Sequence, residues 1–163
     1  MMTDAQTKTI NRLDAEGAVR QLIARYAHHL DEGKFGEVAD LLQHAEFDVV
    51  GNVVAGRDAI EAFLDAGIQR HADGTPRTWH TVTNTLIDVD GSGEQASSSS
   101  YYTVFQQLDG FPLQPIVTGK YLDRFARVDG EWRFVRRAVT AHSLGDLQHH
   151  VMGSNAEPAK ASA

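Results

Sequence analysis

Residues 18–31, AVRQLIARYAHHLD, decide how the rest of the chain is interpreted. Apolar residues recur there every three or four positions, the spacing of one face of an α-helix. They are Val19, Leu22, Ile23, Tyr26, Ala27 and Leu30. The pattern predicts an amphipathic helix that begins near Asp14, a suitable N-cap, and ends at Gly33. Asp31 lies about 40° from Ala27 around such a helix, so its carboxylate borders the apolar face.

A second stretch, TWHTVTNTLIDV at residues 78–89, has the composition of a β-strand and is followed by a Gly-rich turn. It carries His80, whereas the neighbouring Trp79 points to the opposite face of the strand. If this strand packs on the first helix, Tyr26, Asp31 and His80 converge on one cavity.

The remaining pattern predicts an α+β domain, in which a meander of long antiparallel strands follows three helices. We expect a flexible N-terminus at residues 1–13, a single domain at 14–143 and a frayed tail at 144–163. The other elements are predicted at 34–42 (helix), 47–54 (hairpin), 58 to about 73 (helix), and 95–107, 116–128 and 131–143 (strands).

Composition excludes several classes of protein. The chain has 163 residues, a hydrophobic fraction of 42% and a formal net charge of -7, which suit one globular core and argue against a nucleic-acid partner. It contains no cysteine, so disulfides, thiolate nucleophiles and cysteine-ligated metals are excluded. No apolar run is long enough to span a membrane, and the first residues lack the pattern of a secretory signal. We therefore expect a cytoplasmic protein.

Several segments resemble the SnoaL-like branch of the nuclear transport factor 2 (NTF2)-like superfamily. They are residues 18–26 with Leu30-Asp31, 56–60, the His80-x-x-Thr83-Asn84 strand, 119–123 and 129–134. The resemblance covers roughly residues 14–143. It implies a cone-shaped fold, in which a curved antiparallel sheet wraps around three N-terminal helices and leaves an internal pocket.

The same resemblance implies a candidate catalytic set of Asp31, His80 and Tyr26. Scytalone dehydratase and bile acid 7-alpha-dehydratase, members of this branch, pair an aspartate at the end of the first helix with a strand histidine, and Asp31 and His80 occupy the matching positions. An aspartate that accepts one imidazole N–H fixes the tautomer, so His80 could move a proton from carbon to a leaving hydroxyl. Tyr26 could stabilise the enolate by a hydrogen bond.

Four further residues are candidates for substrate binding: Asn84, Tyr102, Arg136 and His142. By strand alternation Arg136 shares a face with Trp132 and Phe134, from which it could bind an anionic group. This chemistry needs no cofactor. We also expect no metal, because the histidines lack acidic partners at ligand spacing.

Two alternatives remain beside a dehydratase or isomerase of a small cyclic or aromatic hydroxy-carbonyl compound. One is a non-catalytic binding or accessory module, like the small subunit of ring-hydroxylating dioxygenases. The other is a polyketide cyclase, which uses the same acid-base logic. In each case we expect a hydrophobic or aromatic ligand and a homo-oligomer, a dimer or a trimer, that covers the outer face of the sheet.

Overall fold

A computed structural model describes residues 1–153 of the protein. Three helices and six strands follow one another in the order α1 (Asp4–Asp31), α2 (Phe35–Leu42), β1 (Glu46–Val49), β2 (Asn52–Ala55), α3 (Arg57–Gly67), β3 (Thr78–Val89), β4 (Gln95–Leu108), β5 (Phe111–Val128) and β6 (Glu131–Leu144). Within this range, no helix combines the length and hydropathy needed to cross a membrane.

The six strands form one curved, open sheet in the order β2-β1-β6-β5-β4-β3. Strands β3 to β6 are an antiparallel meander, and β1 pairs with β6 in parallel. The predicted α+β class is confirmed. The mixed sheet arises because the β1–β2 hairpin lies between α2 and α3 in the chain and returns to the far side of β6.

The first helix is longer than predicted. It begins at Asp4 rather than near Asp14, and Thr3 caps it through a reciprocal pair of hydrogen bonds with Gln6. The residues from Asp4 to Leu13 are all exposed, so no apolar face revealed this part of the helix in the sequence. A capping box stabilises a helix start without any contact to a core.

The end of α3 and the residues after β6 both differ from the prediction, because these two parts of the chain pair with each other. Helix α3 ends at Gly67, before the predicted end near Asp73, because the chain there turns into an extended segment that pairs with residues beyond β6. Ile68 forms an antiparallel bridge with Val151, and the amide of Met152 donates to the carbonyl of Gly67. Residues 145–152, called the C-terminal segment below, are therefore folded onto the domain rather than frayed. The rest of the predicted tail, 154–163, lies outside the described residues.

The core lies between α1, α2 and α3 and the inner face of the sheet. Its fully buried members include Val19, Phe35, Leu42, Phe47, Ile60, Ile116, Tyr121 and Phe125. Burial of an aliphatic or aromatic side chain of this kind stabilises a fold by about 1.5–3 kcal/mol. This packing fixes α1 against the sheet, which places the last turn of α1 beside the start of β3.

Five register shifts interrupt the antiparallel pairings, and three of them are bulges at or next to predicted site residues. In β3, Asn84 and Thr85 lie opposite a single residue of β4. In β6, Val135 and His142 are each left out of the pairing with β5. An extra residue shifts the alternation of every side chain that follows it.

Candidate functional site

Asp31 and His80 are in direct contact. The His80 ring nitrogen Nδ1 lies 2.6 Å from Asp31 Oδ1, and the backbone N–H of His80 donates to Oδ2 of the same carboxylate at 2.8 Å. The hydroxyl of Thr78 donates to Oδ1 at 2.7 Å. The imidazole is 7% exposed and the carboxylate 19% exposed. Three donors hold the carboxylate, so the orientation of the His80 ring is fixed.

The position of these residues in the fold explains the contact. Asp31 is the last residue of α1, and β3 begins at Thr78, so one carboxylate at the helix end meets the first residues of the edge strand. Thr78 and His80 are two residues apart on a strand and therefore point to the same side. With Nδ1 engaged by Asp31, Nε2 is the nitrogen of His80 that can exchange a proton with a substrate.

The pKa of Asp31 is lowered from its ordinary value of 3.8. Burial of the carboxyl raises its pKa. This effect is outweighed by four that lower the pKa: the hydrogen bond from the His80 ring, the charge of His80, and the hydrogen bonds from the His80 backbone and from Thr78. Asp31 is therefore ionised at neutral pH, which suits a group that orients an imidazole and stabilises its protonated form.

This shift makes the contribution of Asp31 to stability depend on pH. The unfolded chain binds a proton at Asp31 more readily than the folded chain does. The contribution of Asp31 to the free energy of unfolding is therefore complete above the pKa of the unfolded chain, and it is lost as the pH falls through the lower pKa of the folded chain. We expect the free energy of unfolding of wild type to exceed that of Asp31→Asn at pH 7, and the difference to shrink below about pH 4. Urea titrations at several pH values measure it. A difference independent of pH would contradict this assignment.

Tyr26 belongs to a second polar cluster, formed with Tyr121, Asp123 and Arg137. The guanidinium of Arg137 lies 4.0 Å from the centroid of the Tyr26 ring and 4.1 Å from that of Tyr121. Burial raises the pKa of Tyr26 above its ordinary value, although Arg137 lowers it, so the hydroxyl stays protonated. The described ring contacts of Tyr26 are with this cluster and with Phe47 rather than with the Asp31–His80 pair.

Arg137 was missed by the sequence prediction, which chose Arg136 instead. The bulge at Val135 turns Arg136 to the outer face, where it pairs with Glu46 and Asp48, so its predicted inward position was wrong. Arg137 is fully buried and binds Asp123 through two hydrogen bonds of 2.9 and 2.8 Å. Its Nη1 is buried with no hydrogen-bond partner in the described part of the chain.

The other three predicted binding residues are dispersed. Asn84 is exposed in the β3 bulge with a left-handed backbone, and His142 is exposed at the second bulge of β6. Simple alternation from His80 would have turned Asn84 inward, and the bulge overrides it. Tyr102 is buried, stacks on Tyr121 at 4.4 Å and donates its hydroxyl to the carbonyl of Thr140 at 3.0 Å. Burial raises the pKa of Tyr102 to about 12.

A further imidazole, that of His150 in the C-terminal segment, interacts electrostatically with the Asp31–His80 pair. Its pKa is lowered to about 4, first by burial and then by the positive charge of His80, with a smaller effect of His71, whereas the negative charge of Asp31 raises it. Nδ1 of His150 is buried and has no hydrogen-bond partner among the described residues. No periodicity marked this segment in the sequence.

A cleft of about 1140 Å³ borders Thr78, but neither Asp31 nor His80 is among its lining residues. Its walls include His71, Thr78, Trp79, Phe105 and Leu113. Thr78 is the link between the two features, because it lines the cleft and its hydroxyl binds Asp31. Within residues 1–153, no group of three or more histidine or acidic side chains is arranged to hold a metal ion.

Comparisons with solved structures give the same fold. A protein of Novosphingobium aromaticivorans, provisionally named a scytalone dehydratase, is 25% identical with a TM-score of 0.67, over 85% of this chain and 91% of that one. An NTF2-like protein with a cystatin-like fold from the same organism is 24% identical with a TM-score of 0.70, over 86% and 91%.

A third structure from that organism is provisionally assigned as the beta subunit of an aromatic-ring-hydroxylating dioxygenase. It is 21% identical with a TM-score of 0.63, over 82% of this chain and 93% of that one. No curated protein matches the chain. Residues 11–138 match the SnoaL-like domain. The chain therefore belongs to the SnoaL-like domain family and has its NTF2-like, cystatin-like fold.

Proposed function

We propose that this protein is a cofactor-independent acid-base enzyme that removes water from, or isomerises, a small cyclic or aromatic hydroxy-carbonyl compound. The observation that carries this proposal is the hydrogen bond of 2.6 Å between the Asp31 carboxylate and Nδ1 of His80. A carboxylate that holds one imidazole nitrogen prepares the other to act as a base and then as an acid.

In the proposed reaction His80 Nε2 takes the proton from the carbon next to the carbonyl. The electron pair of that C–H bond moves onto the carbonyl oxygen, which gives an enolate. The enolate then collapses to form the new C=C bond as the C–O bond of the β-hydroxyl breaks, and the His80 imidazolium gives its proton to the leaving oxygen. Asp31 stabilises the imidazolium between these steps. Isomerisation follows the same course, except that the proton returns to another carbon.

The carbonyl end of the substrate is proposed to lie against the cluster of Tyr26 and Arg137. Tyr26 remains protonated and so can donate a hydrogen bond to the enolate oxygen. Nη1 of Arg137 is a buried N–H group without a partner in the described part of the chain, and such a group gains from a ligand acceptor. Both donors would stabilise the negative charge that develops on the carbonyl oxygen in the transition state.

A β-hydroxytetralone tests this proposal, because its loss of water gives a naphthol with a distinct ultraviolet spectrum. We expect wild type to form the naphthol and His80→Gln to lose turnover by about 10³-fold or more while keeping its thermal midpoint. His44→Gln, a change at an exposed histidine just after α2, is the matched control and should retain full activity.

A His80→Gln variant as active as wild type would overturn the proposal. If wild type binds the tetralone but never forms product, the non-catalytic binding or accessory module becomes the better explanation. A polyketide cyclase would use the same Asp31–His80 chemistry, so His80→Gln would inactivate it as well. It would be recognised because it closes the ring of a linear polyketone.

Exposed apolar side chains on the outer face of the sheet support a second part of the proposal, that the protein forms a homo-oligomer. Trp79 is 71% exposed, and Leu113, in the same cleft wall, is 66% exposed. Exposed apolar side chains of this size are usual at protein interfaces. We propose that a second copy of the chain covers them, in a dimer or a trimer.

A further inference from the structure

The C-terminal segment is fastened to the same end of the sheet as the Asp31–His80 pair. The backbone N–H of Gln69 donates to the carbonyl of His150 at 2.8 Å, and the side-chain amide of Gln69 donates to the carbonyls of Gln148 and Val151. These bonds join the segment to the chain just after α3. They fix the backbone on both sides of His150.

A second set of bonds fastens the segment beside the start of β3. The buried amide of Gln106 donates both to the carbonyl of Pro76 at 2.9 Å and to that of His149 at 3.0 Å. Nε2 of His71 lies 3.1 Å from the same carbonyl of His149. Pro76 is two residues before Thr78, whose hydroxyl binds Asp31. The segment therefore passes next to the residues that hold the pair.

His149 and His150 differ in their surroundings although they are adjacent. The ring of His149 packs edge-on against Phe111 at 4.9 Å. His150 instead interacts electrostatically with His80, Asp31 and His71, and its Nδ1 is buried without a partner among the described residues. A buried polar atom without a partner is rare in a native protein, and a ligand that binds there would satisfy it.

We propose that His150 is the third group of the site: an uncharged imidazole, supplied by the C-terminal segment, that hydrogen-bonds the leaving hydroxyl oxygen of the substrate beside His80. This rests on the proposed function. No proton is transferred by His150; it donates a hydrogen bond to the oxygen that accepts the proton from His80 and departs as water.

The surroundings of His150 suit this role. Burial and the neighbouring His80 hold its pKa near 4, so at neutral pH it is uncharged and the proton taken from carbon resides on His80, next to Asp31. A neutral imidazole can act as a hydrogen-bond donor to a reacting oxygen without adding a second positive charge to the site. The only positive charge that forms at the site during the proposed reaction is that of the His80 imidazolium, and the Asp31 carboxylate compensates it.

Nuclear magnetic resonance tests whether His150 faces His80, without any substrate. We expect the pKa of His150 to rise by roughly half a unit or more in His80→Gln, because a positive neighbour is removed while Asp31 remains. His149→Gln is the matched control and should leave the His150 titration unchanged. His80→Asn replaces His80→Gln if the glutamine variant does not fold. An unaltered His150 pKa in a folded His80 variant would overturn the proposal.

Turnover of the β-hydroxytetralone tests the contact with the leaving oxygen. We expect His150→Leu to lower kcat by about 10²-fold with a smaller change in KM, His150→Gln to recover part of it through its amide N–H, and His149→Gln to match wild type. If His150→Leu keeps the wild-type kcat while His80→Gln is inactive, the proposed role of His150 is overturned and the proposed function stands. Full activity in His80→Gln would instead overturn the proposed function.

Discussion

We expect Asp31→Asn to fold and to lose turnover of the β-hydroxytetralone by about 10³- to 10⁴-fold. The reason is the hydrogen bonding of the carboxylate, in which three donors converge on two oxygens: Thr78 hydroxyl, His80 Nδ1–H and the His80 backbone N–H. An asparagine has one oxygen and one NH₂ group, so at least one of these donors then meets another donor.

The consequence for His80 is a change of tautomer. If the asparagine NH₂ group faces Nδ1, the ring accepts there and carries its proton on Nε2, and Nε2 cannot take a proton from carbon. The negative charge that stabilises the imidazolium is also lost. Initial rates of naphthol formation measure the effect.

Thr78→Val is the matched control for Asp31→Asn. It removes one hydrogen bond of 2.7 Å to the carboxylate but keeps the charge and the contact with His80. We expect it to lower kcat by about tenfold at most, since a single hydrogen bond contributes about 0.5–1.5 kcal/mol. An Asp31→Asn variant with more than a tenth of wild-type turnover would contradict the assigned role of the carboxylate.

The largest expected effect on stability is that of Asp123→Ala. Asp123 and Arg137 are both fully buried, and the substitution leaves a guanidinium in the core without its carboxylate. Breaking a buried pair in this way costs about 3–5 kcal/mol, because the remaining charge is desolvated without compensation. Urea unfolding followed by tryptophan fluorescence measures the loss.

The neighbouring arginine provides the comparison. Glu46→Ala removes a partner of Arg136 on the outer face, where the carboxylate is 45% exposed, and should cost about 1 kcal/mol or less. The double variant Asp123→Leu/Arg137→Met should recover most of the stability lost in Asp123→Ala, since apolar residues replace both charges. Equal losses in Asp123→Ala and Glu46→Ala would show that the buried pair is not held as described.

The sequence predicted those parts of the protein in which one periodicity continues without interruption. The apolar face of α1 and the regular start of β3 located Asp31 and His80, which the fold brings into contact. Their roles in chemistry stay a prediction.

Residues that follow a bulge could not be placed from the sequence. Arg136 and Arg137 are adjacent arginines, and only the extra residue at Val135 decides that Arg137 faces the core. A bulge is set by the pairing of two strands, so alternation along one strand does not reveal it. Asn84 was misplaced for the same reason.

The C-terminal segment was missed for a different reason. It is held by backbone and glutamine hydrogen bonds, chiefly those of Gln69 and Gln106, and these require neither an apolar stripe nor a turn motif. The exposed first turns of α1 were missed for another reason: the capping box of Thr3 and Gln6 is local, but no apolar periodicity follows it. Hydrogen bonds between distant residues become visible only once the fold is known.

Deuterium exchange tests the central claim, that His80 removes a proton from carbon, most directly. The substrate is an α-tetralone, which has the acidic C–H next to its carbonyl but no leaving hydroxyl, so proton transfer is observed alone. In D₂O we predict that wild type exchanges this proton well above the spontaneous rate and that His80→Gln does not. Exchange by wild type no faster than in buffer, or equally fast exchange by His80→Gln, would contradict the account.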